Sequence, residues 1–168
     1  MEDWFNLEDD GFPNYAVSDL GVVRNIRSGR LLRQSSNQSG VRKVGLINSV
    51  DGHQYTVSVA LLVAKAFIPP PPNIRFTTPI NVDGSRGNNY AGNLMWRPRW
   101  FAVKYHQQFH NDLRGFDVPI IEVRTGEEFD TSWDAAIKFG LLDREIAIAT
   151  LNRTYVFPTG QTFRVIRE

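Results

Sequence analysis

Apolar and polar residues alternate in short bursts along the first third of the chain, the period of strands with one buried face. Gly11-Phe12-Pro13-Asn14 reads as a turn. Tyr15 to Val17 and Val22 to Ile26 read as short strands on either side of Ser18-Asp19-Leu20-Gly21, with a second turn at Ser28-Gly29. Residues 40–46 and 54–59 predict a hairpin closed at Asp51-Gly52. The period then lengthens. Residues 60–67 predict a short amphipathic helix, stopped by Pro69 to Pro72, which continues as a stiff spacer. From Arg99 to about Leu113 the pattern is that of a polar helix or linker. A strand follows at 120–123, with Thr125-Gly126 as its turn and Phe129 closing the hairpin. Ser132 is expected to N-cap a helix over 133–139 with Gly140 as C-cap, Asp143 to cap a second helix over 144–151, and residues 161–166 to return as a strand. These elements give an α+β class.

Composition narrows the picture. The 168 residues suffice for one ordinary domain or two or three small ones, and 42% hydrophobic with 22% charged residues is a globular balance rather than a disordered one. No window reaches the roughly 18–20 apolar residues of a bilayer span, so no membrane partner is expected. The acidic start Met1-Glu2-Asp3-Trp4-Phe5 has no basic n-region, so no secretory signal is expected. The absence of cysteine excludes disulfides and cysteine–zinc sites, and a cytoplasmic setting is the simplest expectation.

The net charge of +1 conceals an asymmetry. Residues 1–20 carry six acids and no base, residues 21–115 thirteen bases against three acids, and residues 116–168 six bases against nine acids. A basic middle between acidic ends points to a polyanion, double-stranded DNA being the expected partner. Arg24, Arg27, Arg30 and Arg33 recur every three residues around a turn, and Arg42 and Lys43 follow on the next hairpin. The three histidines suggest no site: His53 falls in a turn, and His106 and His110, four apart, are expected on one exposed polar helix face. No cofactor or metal is expected.

Residues 79–96 hold the most informative motif. Asp83-Gly84, Asn88-Asn89 and Asn93-Leu94-x-Trp96 stand at the spacing of an HNH nuclease core. Around it, Gly11-Phe12-Pro13-Asn14-Tyr15-Ala16-Val17-Ser18 through Gly21-Val22-Val23-Arg24 is similar to a nuclease-associated modular DNA-binding motif. Leu62-Val63-Ala64-x-Ala66-Phe67 is similar to the segment that precedes the HNH core. Pro119-Ile120-Ile121, Thr125-Gly126, Ser132, Ala136, Gly140-Leu141, Ile146 and Gly160-x-Thr162-Phe163-Arg164 are similar to the intron-encoded nuclease repeat. In this order the modules resemble the phage and intron-encoded HNH homing endonucleases. The resemblance implies an N-terminal nuclease-associated module over 1–46, a degenerate ββα-metal (HNH) core over 47–103, a linker helix over 104–117, and a strand pair with helix-turn-helix over 118–168.

It also implies that the chemistry is missing. HNH enzymes use a histidine to activate water and a divalent ion to steady the phosphoryl oxygens. The histidine position holds Asn81, the preceding metal-ligand position Ile80, a second ligand position on the following helix Ala102, and the histidine before Leu62-Val63-Ala64 is Ala60. Asparagine has no titratable nitrogen, and alkyl groups do not ligate a hard cation. By the same resemblance, Arg24, Arg27, Arg30, Arg33, Arg42 and Lys43 are expected to contact DNA along the N-terminal ribbon, and Arg86, Arg97, Arg99 and Lys104 to line the side where the scissile phosphate lies. Asn88, Asn89 and Asn93 are expected to bond backbone across their loop, and Trp96 to pack in the core.

The favoured function is therefore a catalytically inactive, phage-encoded DNA-binding protein derived from a homing endonuclease, not an enzyme. Two alternatives stand beside it. One is a structural or regulatory subunit on a polymerase, ribosome or virion, with a protein partner on the acidic C-terminal module, whose second helix has Arg144 as its sole base. The other is a nicking endonuclease with relocated metal ligands.

Overall fold

The computed structural model describes residues 1–166. Contacts divide the chain into two compact units, Met1–Arg99 and a second that begins at Trp100. The mixture of strands and helices bears out the α+β class.

In the first unit, β1 (Trp4–Leu7), β2 (Phe12–Ser18) and β3 (Val23–Asn25) form an antiparallel sheet with β2 in the middle. Val17 stands opposite Phe5 on one side and Val23 on the other, so the strand alternation sends Tyr15, Val17 and Val23 inward. A second sheet, β4 (Ser35–Ser36), β5 (Arg42–Ile47) and β6 (Gln54–Ser58), turns Val44 and Leu46 into the same core. Helix α1 (Val59–Phe67) starts where Ser58 Oγ accepts Leu61 N at 3.4 Å and buries Val59, Leu62 and Val63. It ends where Ile68, held extended at φ −103° and ψ 152°, precedes the proline run. The hairpin of β7 (Thr78–Asn81) and β8 (Leu94–Arg97) pairs Ile80 with Met95 and Asn81 with Leu94, and a 3-10 turn at Ala91–Asn93 closes the loop between them.

The second unit takes up α2 (Arg99–Gln108) from Trp100 onward. Strands β9 (Ile120–Glu122), β10 (Glu128–Phe129) and β11 (Phe163–Val165) make a three-stranded sheet with β9 central, β11 joining the hairpin as the strand expected within 161–166. Helices α3 (Ser132–Phe139) and α4 (Asp143–Asn152) cover it around Ile120, Leu141, Ile146 and Phe163. Gly140 ends α3 with φ 62°, as expected, in the left-handed region that suits glycine.

Three local expectations are corrected. The N-cap of α3 is Thr131, which forms a capping box with Asp134, while Ser132 is buried one residue inside the helix. Asp143 does not cap α4: Leu142 holds the N-cap position, and the Asp143 carboxylate accepts Gly115 N at 2.7 Å and the Ser132 hydroxyl. Asp143 N in turn donates to Gln108 Oε1 at 3.0 Å. Finally, α2 stops at Gln108, so His110 lies beyond it, and His106 is 6% exposed; the two do not share an exposed helical face. Among the described residues, no helix is long and apolar enough to cross a membrane.

Candidate functional site

The loop that joins β7 to β8 is closed on itself by amide side chains. Asn81, the last residue of β7, is 3% exposed and its Nδ2 donates to Asn88 O at 2.8 Å and Asn89 Oδ1 at 2.9 Å. Asn93 Nδ2 donates to Asp83 Oδ1 at 2.9 Å and to Asn88 O at 2.8 Å, while Asn93 Oδ1 accepts Asp83 N at 3.0 Å. Asp83 completes the network, accepting Asn88 Nδ2 at 2.7 Å on Oδ2 and Ser85 N at 2.9 Å on Oδ1. Burial alone raises the Asp83 pKa, but these hydrogen bonds outweigh it and hold the carboxyl below its ordinary range. Asn88, Asn89 and Asn93 thus bond within the loop, as expected, though side-chain partners share the work with backbone. Trp96 is partly buried against the core and its Nε1 donates to Pro69 O at 3.1 Å.

The basic residues expected at DNA differ in exposure. Arg27, Arg30, Arg33, Arg42 and Lys43 are exposed and form no ion pair among the described residues. The first two sit at the tip of a hairpin in which Asn25 N donates to Arg30 O at 2.9 Å and Leu31 bridges to Arg24. Residues 20–50 hold six Lys/Arg and no Asp or Glu, so nothing in this stretch neutralises them. Arg24 and Arg86 are half-buried. Arg24 faces Ala16 across the sheet and lies 4.0 Å over the Trp4 ring, a cation–π partner that the strand alternation of β1 signals only once its register with β2 is known. Arg86 stands beside the 40–42 turn: a Cβ added at Gly40 meets Arg86 Cβ at 3.9 Å, and one at Gly87 meets Arg42 Nε at 3.4 Å. The Arg42 side chain therefore lies beside Gly87, the neighbour of Arg86 in the chain, and burial lowers the Arg86 pKa from its ordinary value.

Arg97 is a correction. It is 8% exposed, with Nη1 donating to Trp96 O at 2.8 Å, so it serves the hairpin rather than an open surface. Arg99 and Lys104 are exposed on α2.

Residues 2–47 match the NUMOD4 motif. Over 85 residues, 51% of the chain, the sequence is 36% identical to an uncharacterized HNH endonuclease of Acanthamoeba polyphaga mimivirus. The N-terminal part of the chain thus matches a NUMOD4 motif, and half of the chain is similar to an HNH endonuclease. The chain spans 24% of the length of that viral relative. The solved HNH homing endonuclease I-HmuI, which binds and cleaves DNA, shares the fold over 99% of both chains, with a TM-score of 0.53 at 23% identity.

HNH chemistry implies a divalent ion, and the positions of this chain that match the HNH pattern do not fit one. A hard cation takes oxygen ligands. Ile80 is a fully buried alkyl group, Ala60 and Ala102 present methyls, and the donors of Asn81 are directed at Asn88 and Asn89. Both Asp83 oxygens already accept hydrogen bonds. Among the described residues, no three His, Cys, Asp or Glu side chains converge as a metal-binding group.

Proposed function

We propose that this HNH homing endonuclease-like protein binds duplex DNA without cleaving it. The observation that carries the reading is Asn81. At the position of the general base stands a buried amide that donates two hydrogen bonds inward and has no lone pair able to take a proton from water at neutral pH. A general base alone contributes about 10²–10⁴-fold to such a reaction. The loop that frames a reactive centre in HNH enzymes here supports the fold.

Binding falls to the unpaired cations. Arg27, Arg30, Arg33, Arg42 and Lys43 are exposed in an acid-free stretch, and guanidinium forks suit phosphate oxygens. Phage origin and action in the host cytoplasm belong to the same proposal, and rest on the resemblance to phage-encoded HNH homing endonucleases and on the cysteine-free sequence.

Two measurements test it. Incubation of supercoiled DNA with the protein and Mg²⁺ or Mn²⁺ is expected to yield no nicks; nicking that disappears on substitution near Asn81 defeats the inactive reading. Replacing Arg27, Arg30 and Arg42 by Ala is expected to weaken duplex binding and to flatten the slope of log K against log salt by about 0.9 per lost phosphate contact. Arg24 is left out of this set because it stacks on Trp4. Unchanged binding at every salt concentration moves the surface elsewhere and favours a protein partner.

A further inference from the structure

The second unit exposes large aromatic rings beside cations. Trp100 opens α2 and is 53% exposed; Phe157, in the segment after α4, is 47% exposed. Their rings stack at 26° with centroids 5.6 Å apart. The stack is anchored from below: Phe101, buried, packs edge-on against Trp100 and tilted against Phe157, and itself stacks on the buried Tyr105. Tyr155 is 72% exposed and stands two residues before Phe157, with the intervening Val156 buried in a bridge to Gln161. Lys104, one helical turn after Trp100, holds its ammonium 5.6 Å from the Trp100 ring centre.

Exposed aromatic rings suit either a protein or unpaired bases, and charge decides between them. The second unit as a whole carries ten acids and eight bases from residue 100 onward. Yet the two segments that build the stack have none of the acids: residues 100–111 hold Lys104, residues 146–166 hold Arg153 and Arg164, and neither holds an Asp or Glu. An apolar protein interface has no need of such segregation, whereas a strand of nucleotides requires rings for its bases and cations for its phosphates.

We propose that Trp100, Phe157 and Tyr155 form a stacking platform for the unpaired bases of single-stranded DNA, with Lys104 and Arg153 meeting its backbone. This goes beyond duplex binding by the N-terminal arginines and rests on different residues.

The test is fluorescence anisotropy of the full-length protein with a labelled single-stranded oligothymidine and with an abasic strand of equal length, which keeps the phosphates and lacks the bases. The oligothymidine is expected to bind about fivefold tighter or more. Trp100→Leu and Tyr155→Ser are each expected to weaken oligothymidine binding about fivefold or more and to leave abasic binding nearly unchanged. Trp100→Phe keeps a ring and is expected to keep most of the affinity. Tyr155→Ser alters a side chain open to solvent and reports even where Trp100→Leu disturbs folding. Equal affinity for the two strands, no single-strand binding at low salt, or variants that bind oligothymidine like the parent overturns the proposal. Self-association in sedimentation that Trp100→Leu abolishes, with single-strand binding intact, assigns the rings to a protein interface and overturns it too. Duplex affinity, measured in parallel with the Arg27, Arg30 and Arg42 triple variant, reports separately on the arginine surface.

Discussion

Each unit holds a hydrogen-bonded polar cluster with buried members, and the two are built differently. In the first unit the members all come from residues 81–93, and the loop ties itself shut through Asn81, Asp83, Asn88, Asn89 and Asn93. In the second, Asp143 and Ser132 join pieces that are far apart: Gly115 and Phe116 from the connecting segment, Gln108 from α2, and the starts of α3 and α4. Both satisfy polar groups that are costly to leave buried and unpaired. The local cluster holds one loop in shape at the position of an expected reactive centre. The distant cluster clamps four segments together and has no chemistry to lose. A buried polar group in this protein is therefore evidence of a structural bond first.

The contrast is broken or sharpened by substitutions taken from the largest expected effect downward. Gly115→Ala should be the most damaging. A Cβ there meets Ser132 Oγ at 2.8 Å, Ala147 Cβ at 2.9 Å and Asp143 O at 2.9 Å, so backbone must move as well as side chains. A loss of about 3 kcal/mol is expected in chemical denaturation, with faster hydrogen exchange concentrated in residues 115–150. Equal acceleration at residues 81–93 refutes the separation of the two clusters.

Asn81→Ala comes next. It leaves Asn89 Oδ1 without its buried donor and Asn88 O with Asn93 Nδ2 alone, which should cost about 2 kcal/mol. Exchange should quicken chiefly in the 81–94 loop. If Asn81→Ala is neutral, the amide is not the clasp described above, and the case for structural use of this position weakens with it.

The smallest effect is expected at Glu122, on β9 in the second unit. Burial raises its pKa, but Thr125 Oγ1, Thr125 N and Arg124 N bond the ionised form and bring the net shift below the ordinary value of 4.5. A depressed folded pKa gives stability that is fully present above pH 4.5 and is lost as pH falls through the folded value. Glu122→Gln should therefore cost about 1 kcal/mol at neutral pH and approach the parent in strong acid. A pH-independent difference between the two proteins excludes the carboxylate as the cause.

Much of this architecture is legible along the chain because its causes are local. Period-2 alternation places β2, β5 and β6, the proline run ends α1, and Gly140 ends α3, each through the backbone preferences of a few neighbouring residues. The asparagine loop is legible for the same reason, since its partners lie within 13 residues of one another. The charge asymmetry and the missing titratable group at Asn81 are properties of composition alone. What only the tertiary structure decided are pairings between distant residues. Asp143 reads as a helix cap until Gly115 and Ser132 claim its carboxylate. Arg24 reads as a free cation until sheet register sets it over Trp4. Arg97 and His106 read as surface residues until packing buries them. Trp100 and Phe157, 57 positions apart, become one stack only in the fold. Local preference is written in adjacent residues, whereas the partner of a side chain depends on which surfaces the whole chain brings together.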